Sequence, residues 1–349
     1  MTDAGNRHTA ATLIDVANAA GVSLATASRV LNGSARQVRA EYRERVLAAA
    51  GRLNYAPNVS AQAVARGRSN AIGVVVSDIA DPYFSAIAAG ILHEADSAGL
   101  ITTIAISERV VSREIDLVTA LRGQRPRGII MVGSRSNDDE LTERLRRELI
   151  AFAEDGGRIA LVSQAGLPFD TISFENREGA RELAAALVRR GYRRFAVFAG
   201  PENLLTARER LDGFAAGLDE LRAEGVEVVA VIHSDFTRDG GYLAASELID
   251  RGIPAELVFA VNDVMAVGAM ARLREAGVGL PHEVAVAGFD DIATLRDISP
   301  ALTTVRLPLE EAGAAAVRML LGAGDASGDA TRKVPLPGVL VIRDSTPPR

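Results

Sequence analysis

The sequence predicts two unlike parts: a small all-helical N-terminal unit, then a large α/β body built on parallel sheets. Three observations carry this. Helical periodicity fills three short segments before Pro57, whereas from Ala71 onward eight apolar β-type runs alternate with amphipathic helical patterns. Charge divides at the same place. Residues 1–69 hold nine arginines, no lysine and four acids, a net of +5, while the remainder holds 30 basic and 41 acidic residues, a net of −11. Finally, 349 residues suit two or three domains.

Residues 1–11 are polar and small and are expected to form a disordered tail. The first helix spans Leu13 to Ala20, with Leu13, Val16, Ala17 and Ala20 on one face. Thr12 is its N-cap, Asp15 completes a short capping box, and Gly21 ends it. A second helix runs from Leu24 to Leu31, capped by Ser23 and stopped by Asn32-Gly33. A third runs from Ala40 to Leu53 with Val46, Leu47, Ala50 and Leu53 inward. Two short helices joined by Ala20-Gly21-Val22-Ser23 make a helix-turn-helix unit. Asn58 to Arg66 could form one more helix, but a segment so short and weakly apolar folds only when docked.

The eight body runs are Ile72–Val76, Leu100–Ile106, Gly128–Val132, Arg158–Val162, Phe195–Ala199, Val226–Ile232, Leu257–Ala260 and Val284–Gly288. Continuous apolar strands separated by amphipathic helices mean parallel sheets covered on both faces. The spacing fits two lobes of four or five strands, or one (β/α)₈ barrel of about 250 residues. Periodicity leaves both open.

Composition narrows the chemistry. Without cysteine there are no disulfides, iron–sulfur clusters or thiol nucleophiles. His8, His93, His233 and His282 share no metal-ligand spacing, and Lys333 is the sole lysine. No nucleophile–base pair or Walker-type loop is visible, so neither a cofactor, a metal nor an enzymatic activity is expected. Asp290-Asp291 is a carboxylate pair, but neighbours on an extended turn point apart. No secretory signal and no apolar run near about 20 residues is present, which places the expected location in the cytoplasm.

The second helix carries the first functional reading. Ala27, Val30 and Leu31 form its apolar face, which leaves Leu24, Ala25, Ser28 and Arg29 to project elsewhere. Short or donor side chains near a helix N-terminus can reach base edges in a major groove. Arg29 can bond guanine O6 and N7 bidentately, and Leu24 and Ala25 can pack on thymine methyls. Ser23, Thr26 and Asn32 can hold phosphates and fix register. The local charge of +5 on an acidic chain favours this over a plain helical bundle, because neutralising phosphates requires concentrated cations.

Leu13-Ile14-Asp15-Val16-Ala17, Thr26-Ala27-Ser28-Arg29-Val30-Leu31-Asn32 and Leu53-Asn54-Tyr55-Ala56-Pro57-Asn58 resemble the headpiece of the LacI/GalR family of repressors. The body continues the resemblance in order through Asp81-Pro82-Tyr83-Phe84, Arg210-Leu211-Asp212-Gly213-Phe214, Asn262-Asp263, Gly288-Phe289-Asp290-Asp291 and Pro300-Ala301-Leu302-Thr303-Thr304-Val305. It covers the chain from about residue 11 onward. The resemblance implies a three-helix headpiece at 12–57, a hinge helix and linker at 58–69, and a two-lobed Rossmann-like, periplasmic-binding-protein-type core at 70–349. It puts the N-lobe at about 70–164 plus 303–326 and the C-lobe at about 165–302 plus 327–349, with crossings near 163–166, 299–304 and 325–330.

The same resemblance implies a ligand cleft at the carboxyl ends of the strands. Tyr83 and Phe84 could stack on a sugar or purine ring, and Arg210 looks like the family's cleft arginine. Asp290 could accept two adjacent hydroxyls; Asn262 could contact ligand or cap the following helix. Phe236, Thr206, Ser134 and Asp78 match weaker positions. Tyr55 and Asn58 are expected on the DNA backbone, and Ala61, Val64 and Ala65 in the minor groove. Val64 stands where related repressors place a wedging leucine, and a shorter β-branched side chain inserts less deeply.

The implied function is an effector-controlled repressor acting as a homodimer on a pseudopalindromic double-stranded operator, with a carbohydrate or related polyol as effector. A purine corepressor, or a solute-binding protein without DNA function, are the alternatives. The polar, proline-rich Arg343–Arg349 tail favours a dimer over a tetramer.

Overall fold

The computed structural model describes residues 11–31, 38–56, 69–221, 225–322 and 331–349. The chain divides into two compact units, Met1–Ser69 and Asn70–Arg349.

The first unit contains α1 (Leu13–Ala20), α2 (Leu24–Leu31) and α3 (Ala40–Arg52). The Thr12 capping box forms in full, with the Asp15 carboxylate accepting from the Thr12 N–H at 2.8 Å. Gly21 adopts φ +63°, the left-handed geometry that ends a helix. Val16, Ala17, Ala20, Ala27, Val46, Ala49 and Ala50 make a small shared core. Leu47 and Leu53, expected inward, are 49% and 37% exposed. The α3 face that packs is set by Val46, Ala49 and Ala50, so its stripe is narrower than the sequence reading gave.

The second unit holds two parallel sheets, not a closed barrel. The first has strand order β11-β5-β4-β3-β1-β2. Its members are β1 (Ala71–Val76), β2 (Ile101–Ile106), β3 (Gly128–Val132), β4 (Arg158–Val162), β5 (Asp170–Phe174) and β11 (Lys333–Leu336). Strand alternation sorts its side chains between two cores. Val74, Val76, Ile130 and Val132 join one core with Ile87 and Ile91 of α4 (Pro82–Ser97). Val75, Ile129 and Met131 join another with Val118 of α5 (Val111–Gly123) and Leu149 of α6 (Asp139–Glu154).

The second sheet, β7-β6-β8-β9, comprises β6 (Arg194–Ala199), β7 (Glu227–His233), β8 (Leu257–Ala260) and β9 (Ala285–Ala287). Its helices pack as two pairs: α7 (Asn176–Arg189) with α8 (Leu205–Leu221), and α9 (Arg238–Asp250) with α10 (Asp263–Glu275). A short 3₁₀ turn follows at Ala293–Arg296. An antiparallel ribbon of β10 (Thr304–Arg306) and β12 (Val339–Val341) completes the region. Finally, α11 (Leu309–Leu321) packs on α4, where Gly90 and Gly313 let the backbones touch. A Cβ on Gly90 would lie 1.9 Å from the Glu310 carbonyl oxygen.

The expected lobe boundaries need correcting. β5 stays in the first sheet beside β4, so the first crossing falls at Glu175, not at 163–166. β10 bridges β9's extension through Ala287–Thr303 and Asp290–Arg306, whereas α11 lies on α4, so the second crossing is at 307–308, not 299–304. The third expected crossing, 325–330, lies outside the described residues. Yet β11 pairs with β5 in the first sheet while β12 pairs with β10, so the chain returns at 337–338. Gly338 suits that passage, since a Cβ there would meet Val305 Cγ1 at 2.5 Å. Residues 333–336, expected in the C-lobe, thus belong to the first sheet.

The two lobes also touch through a clasp. Ser136 and Leu204 form an antiparallel β-bridge: the Leu205 N–H donates to the Arg135 carbonyl at 3.0 Å and the Asn137 N–H to that of Asn203 at 3.1 Å. Beside it, the Thr206 N–H donates to Ser134 Oγ at 3.0 Å, and Gln164 Nε2 to Thr206 Oγ1 at 2.6 Å.

Candidate functional site

Strand ends of both sheets converge on a cavity of about 360 Å³. Eight of the nine cleft residues expected from the sequence line it: Tyr83, Phe84, Ser134, Thr206, Arg210, Phe236, Asn262 and Asp290. Asp78 is not among the lining residues. Its Oδ1 accepts from the Ala80 N–H at 3.0 Å, which closes its own turn.

Arg210, on α8, is the centre of the second-lobe wall. It is 1% exposed, and its guanidinium is fixed on every side. Nε donates to Asn176 Oδ1 at 3.0 Å, Nη1 donates to the Val261 carbonyl at 2.8 Å, and Nη2 lies 2.8 Å from Asp290 Oδ1. The Phe289 ring lies under it at 4.1 Å. Asp290 is placed by a turn of two left-handed residues, Asp290 at φ 122° and Asp291 at φ 58°. Asp291 anchors that turn through Arg306 and Arg343 at 2.7 and 2.6 Å. The two carboxylates do point apart. Burial pushes the Asp290 carboxyl well above the usual carboxylate range, and the Arg210 charge pulls it back. Behind it, burial pushes Asp263 up to about 6, although Thr304 Oγ1 and the Ile292 N–H both donate to it.

Asn262 has both predicted roles in reach. Its Oδ1 caps α10 by accepting from the Met265 N–H at 2.8 Å, while the residue still faces the cavity. Phe84 is buried and meets Tyr83 edge-to-face at 5.0 Å. Ser134 and Thr206 serve the clasp as well as the wall.

Several lining residues were missed by the sequence reading. Arg109 enters from the loop after β2, carried by left-handed Glu108 and Arg109 at φ 54° and 62°. Non-glycine left-handed pairs have no sequence signature. Its Nη2 donates to Asp81 Oδ2 at 2.8 Å, and its guanidinium lies 5.5 Å from the Phe84 ring. Asp81 also caps α4 by accepting from the Tyr83 N–H, a role that Asp81-Pro82 could have signalled. Glu114 and Arg135 form a buried ion pair at 3.0 Å, both under 9% exposed.

In the helical unit, Leu24 is 48% exposed and Ala25 and Arg29 are exposed, while Ser28 is half-buried. The Ser23 hydroxyl caps α2 by accepting from the Thr26 N–H at 3.1 Å and is 2.8 Å from Thr26 Oγ1. Tyr55 packs half-buried on the small core. Arg45 donates to the carbonyls of Ala20 and Gly21, so it ties down the end of α1. Asn32, Asn58, Ala61, Val64 and Ala65 lie outside the described residues, as does the tail before residue 11.

A helix-turn-helix unit followed by two parallel-sheet lobes around a cavity defines the class of DNA-binding regulators with a two-lobed core. Residues 12–58 match the bacterial regulatory proteins of the lacI family, and residues 184–346 match a periplasmic binding protein-like domain. The chain is 30% identical to the HTH-type transcriptional regulator DegA of Bacillus subtilis (strain 168) over 339 residues, 97% of this chain and 98% of that protein. It is similar to the Lac repressor dimer bound to operator and the anti-inducer ONPF, with TM-score 0.85 and 30% identity over 97% of this chain and 100% of that one. It is also similar to the transcriptional regulator CelR–cellobiose complex, with TM-score 0.67 and 30% identity over 96% of this chain and 99% of that one. The chain belongs to the lacI family of bacterial regulatory proteins, which are DNA-binding transcriptional regulators. Among the described residues no helix is long and apolar enough to cross a membrane.

Proposed function

We propose that this chain is a cytoplasmic, homodimeric repressor that releases or grips its operator according to a saccharide held between the core lobes. The observation that carries the reading is the buried Arg210–Asp290 pair on the wall of a cavity reached from both lobes. A fixed fork of donors beside a carboxylate acceptor matches vicinal hydroxyls. A ligand that prefers one lobe arrangement shifts the dimer toward or away from DNA competence, and the coupling is reciprocal. On the DNA side, Leu24, Ala25, Ser28 and Arg29 read bases, Ser23, Thr26, Asn32, Tyr55 and Asn58 hold phosphates, and Ala61, Val64 and Ala65 enter the minor groove.

The test combines two measurements. Gel shifts on genomic fragments should find sequence-specific, salt-sensitive binding. A sugar panel should raise the melting temperature of the core and change operator affinity. Absence of specific DNA binding sinks the regulator reading. Stabilisation by purines alone moves the effector from saccharide to nucleobase.

A further inference from the structure

Resting on the saccharide reading, we infer that the cleft selects uncharged saccharides and rejects their phosphorylated or acidic counterparts. The cations at the site are already matched. Arg210 faces Asp290 at 2.8 Å, and Arg109 faces Asp81 at 2.8 Å and Asp78 at 3.4 Å. Next to the wall, Arg135 faces Glu114 at 3.0 Å. With Arg135 counted beside its partner, the lining carboxylates Asp81, Glu114, Asp235 and Asp290 stand against Arg109, Arg135 and Arg210 among the described residues. An anionic ligand therefore meets a negative excess and gains no guanidinium unless it displaces a carboxylate from a closed, low-dielectric setting. Like-charge juxtaposition of that kind carries a large penalty.

What the walls do leave open is hydrogen bonding without charge. Arg109 Nε is buried with no partner, a donor from the first lobe. Asp290 Oδ1 is buried 2.8 Å from Arg210 Nη2 and keeps lone-pair capacity for a further donor, an acceptor from the second. Both belong to residues lining the same cavity. A hydroxyl both donates and accepts, so one polyol can serve a donor on one lobe and an acceptor on the other. A phosphate or carboxylate oxygen at neutral pH only accepts, and would leave the Asp290 oxygen unserved.

The experiment uses the full chain and matched pairs that differ only in charge: glucose with glucose 6-phosphate and with glucuronate, ribose with ribose 5-phosphate, cellobiose with cellobionate. Binding is read by thermal shift and calorimetry. For every pair that binds, the neutral member should bind at least about tenfold more tightly than the anion. An anion that binds as well as its neutral partner overturns the inference while leaving the saccharide reading intact. No response from any sugar, neutral or anionic, overturns the saccharide reading and this inference with it.

Asp81→Asn tests the cause. Asparagine keeps the helix cap but strips Arg109 of its main counter-charge. The affinity of each anionic member relative to its neutral partner should then rise about tenfold. No such rise overturns charge matching as the source of selection. The wild-type panel decides the selectivity itself even should this variant fold poorly.

Discussion

Arg210→Ala removes the guanidinium at the centre of the second-lobe wall. The pair it breaks is almost fully enclosed, at 1% and 5% side-chain exposure, so solvent screening does little to soften the loss. Asp290 would be left as an uncompensated buried charge, and the Asn176 Oδ1 and the Val261 carbonyl would lose their donor. Removing one partner of such a pair costs about 3–5 kcal/mol. Urea unfolding at pH 7.5, followed by circular dichroism, should show that loss. The pH dependence has a definite sign. Asp290 already sits above its unfolded value, and losing Arg210 raises it further. A raised carboxyl contributes its stability below the unfolded value and loses it as pH rises through the folded one. The deficit of the variant should therefore shrink as pH falls from 7.5 toward 5.5. Arg210→Ala/Asp290→Asn should recover a large part of the loss at pH 7.5. A single-variant loss below about 1 kcal/mol, a deficit independent of pH, or a double variant no better than the single one would refute the reasoning.

Three further outcomes are expected. Arg29→Ala should weaken operator binding by about 1–3 kcal/mol and relax preference at one base position; an equal loss on random DNA removes its base-reading role. Gly90→Ala should destabilise the core by about 1–3 kcal/mol or more, because α4 and α11 must move apart to admit the methyl, and a change near zero in chemical denaturation contradicts the close crossing. Asp263, held at about 6 by burial, opposes folding once ionised, by an amount on the order of 3 kcal/mol. Its contribution should improve as pH falls from 7 through 6, and Asp263→Asn should flatten that slope whatever its absolute cost. A slope unchanged in the variant assigns the titration to another group.

The strands that the sequence located to the residue are buried along nearly their whole length. Gly128–Val132, Arg158–Val162 and Leu257–Ala260 have the bounds read from pattern alone. The strands it missed lie where that signal fades. Asp170–Phe174 mixes polar with apolar residues, and Lys333–Leu336 carries Pro335 on a mostly exposed edge, where proline is tolerated. Missing these two misplaced the first crossing and obscured the third. At the cavity, Arg210, Asp290 and Asn262 were legible because family motifs carry them. Arg109 was not, because its place depends on two left-handed residues that no residue type announces. Glu114 and Arg135, 21 positions apart, become partners only when the fold brings the first turn of α5 beside the loop after β3.

The clasp between Ser134–Asn137 and Asn203–Thr206 has a kinetic consequence. The lobes can separate there only when those bonds part, so a ligand that leaves by lobe opening must wait for them. Residence time then depends on the opening rate of the protein as well as on contacts with the ligand. Two effectors of unequal affinity could escape at the same ceiling rate, and the memory of a vanished signal would be set by the backbone of the receptor.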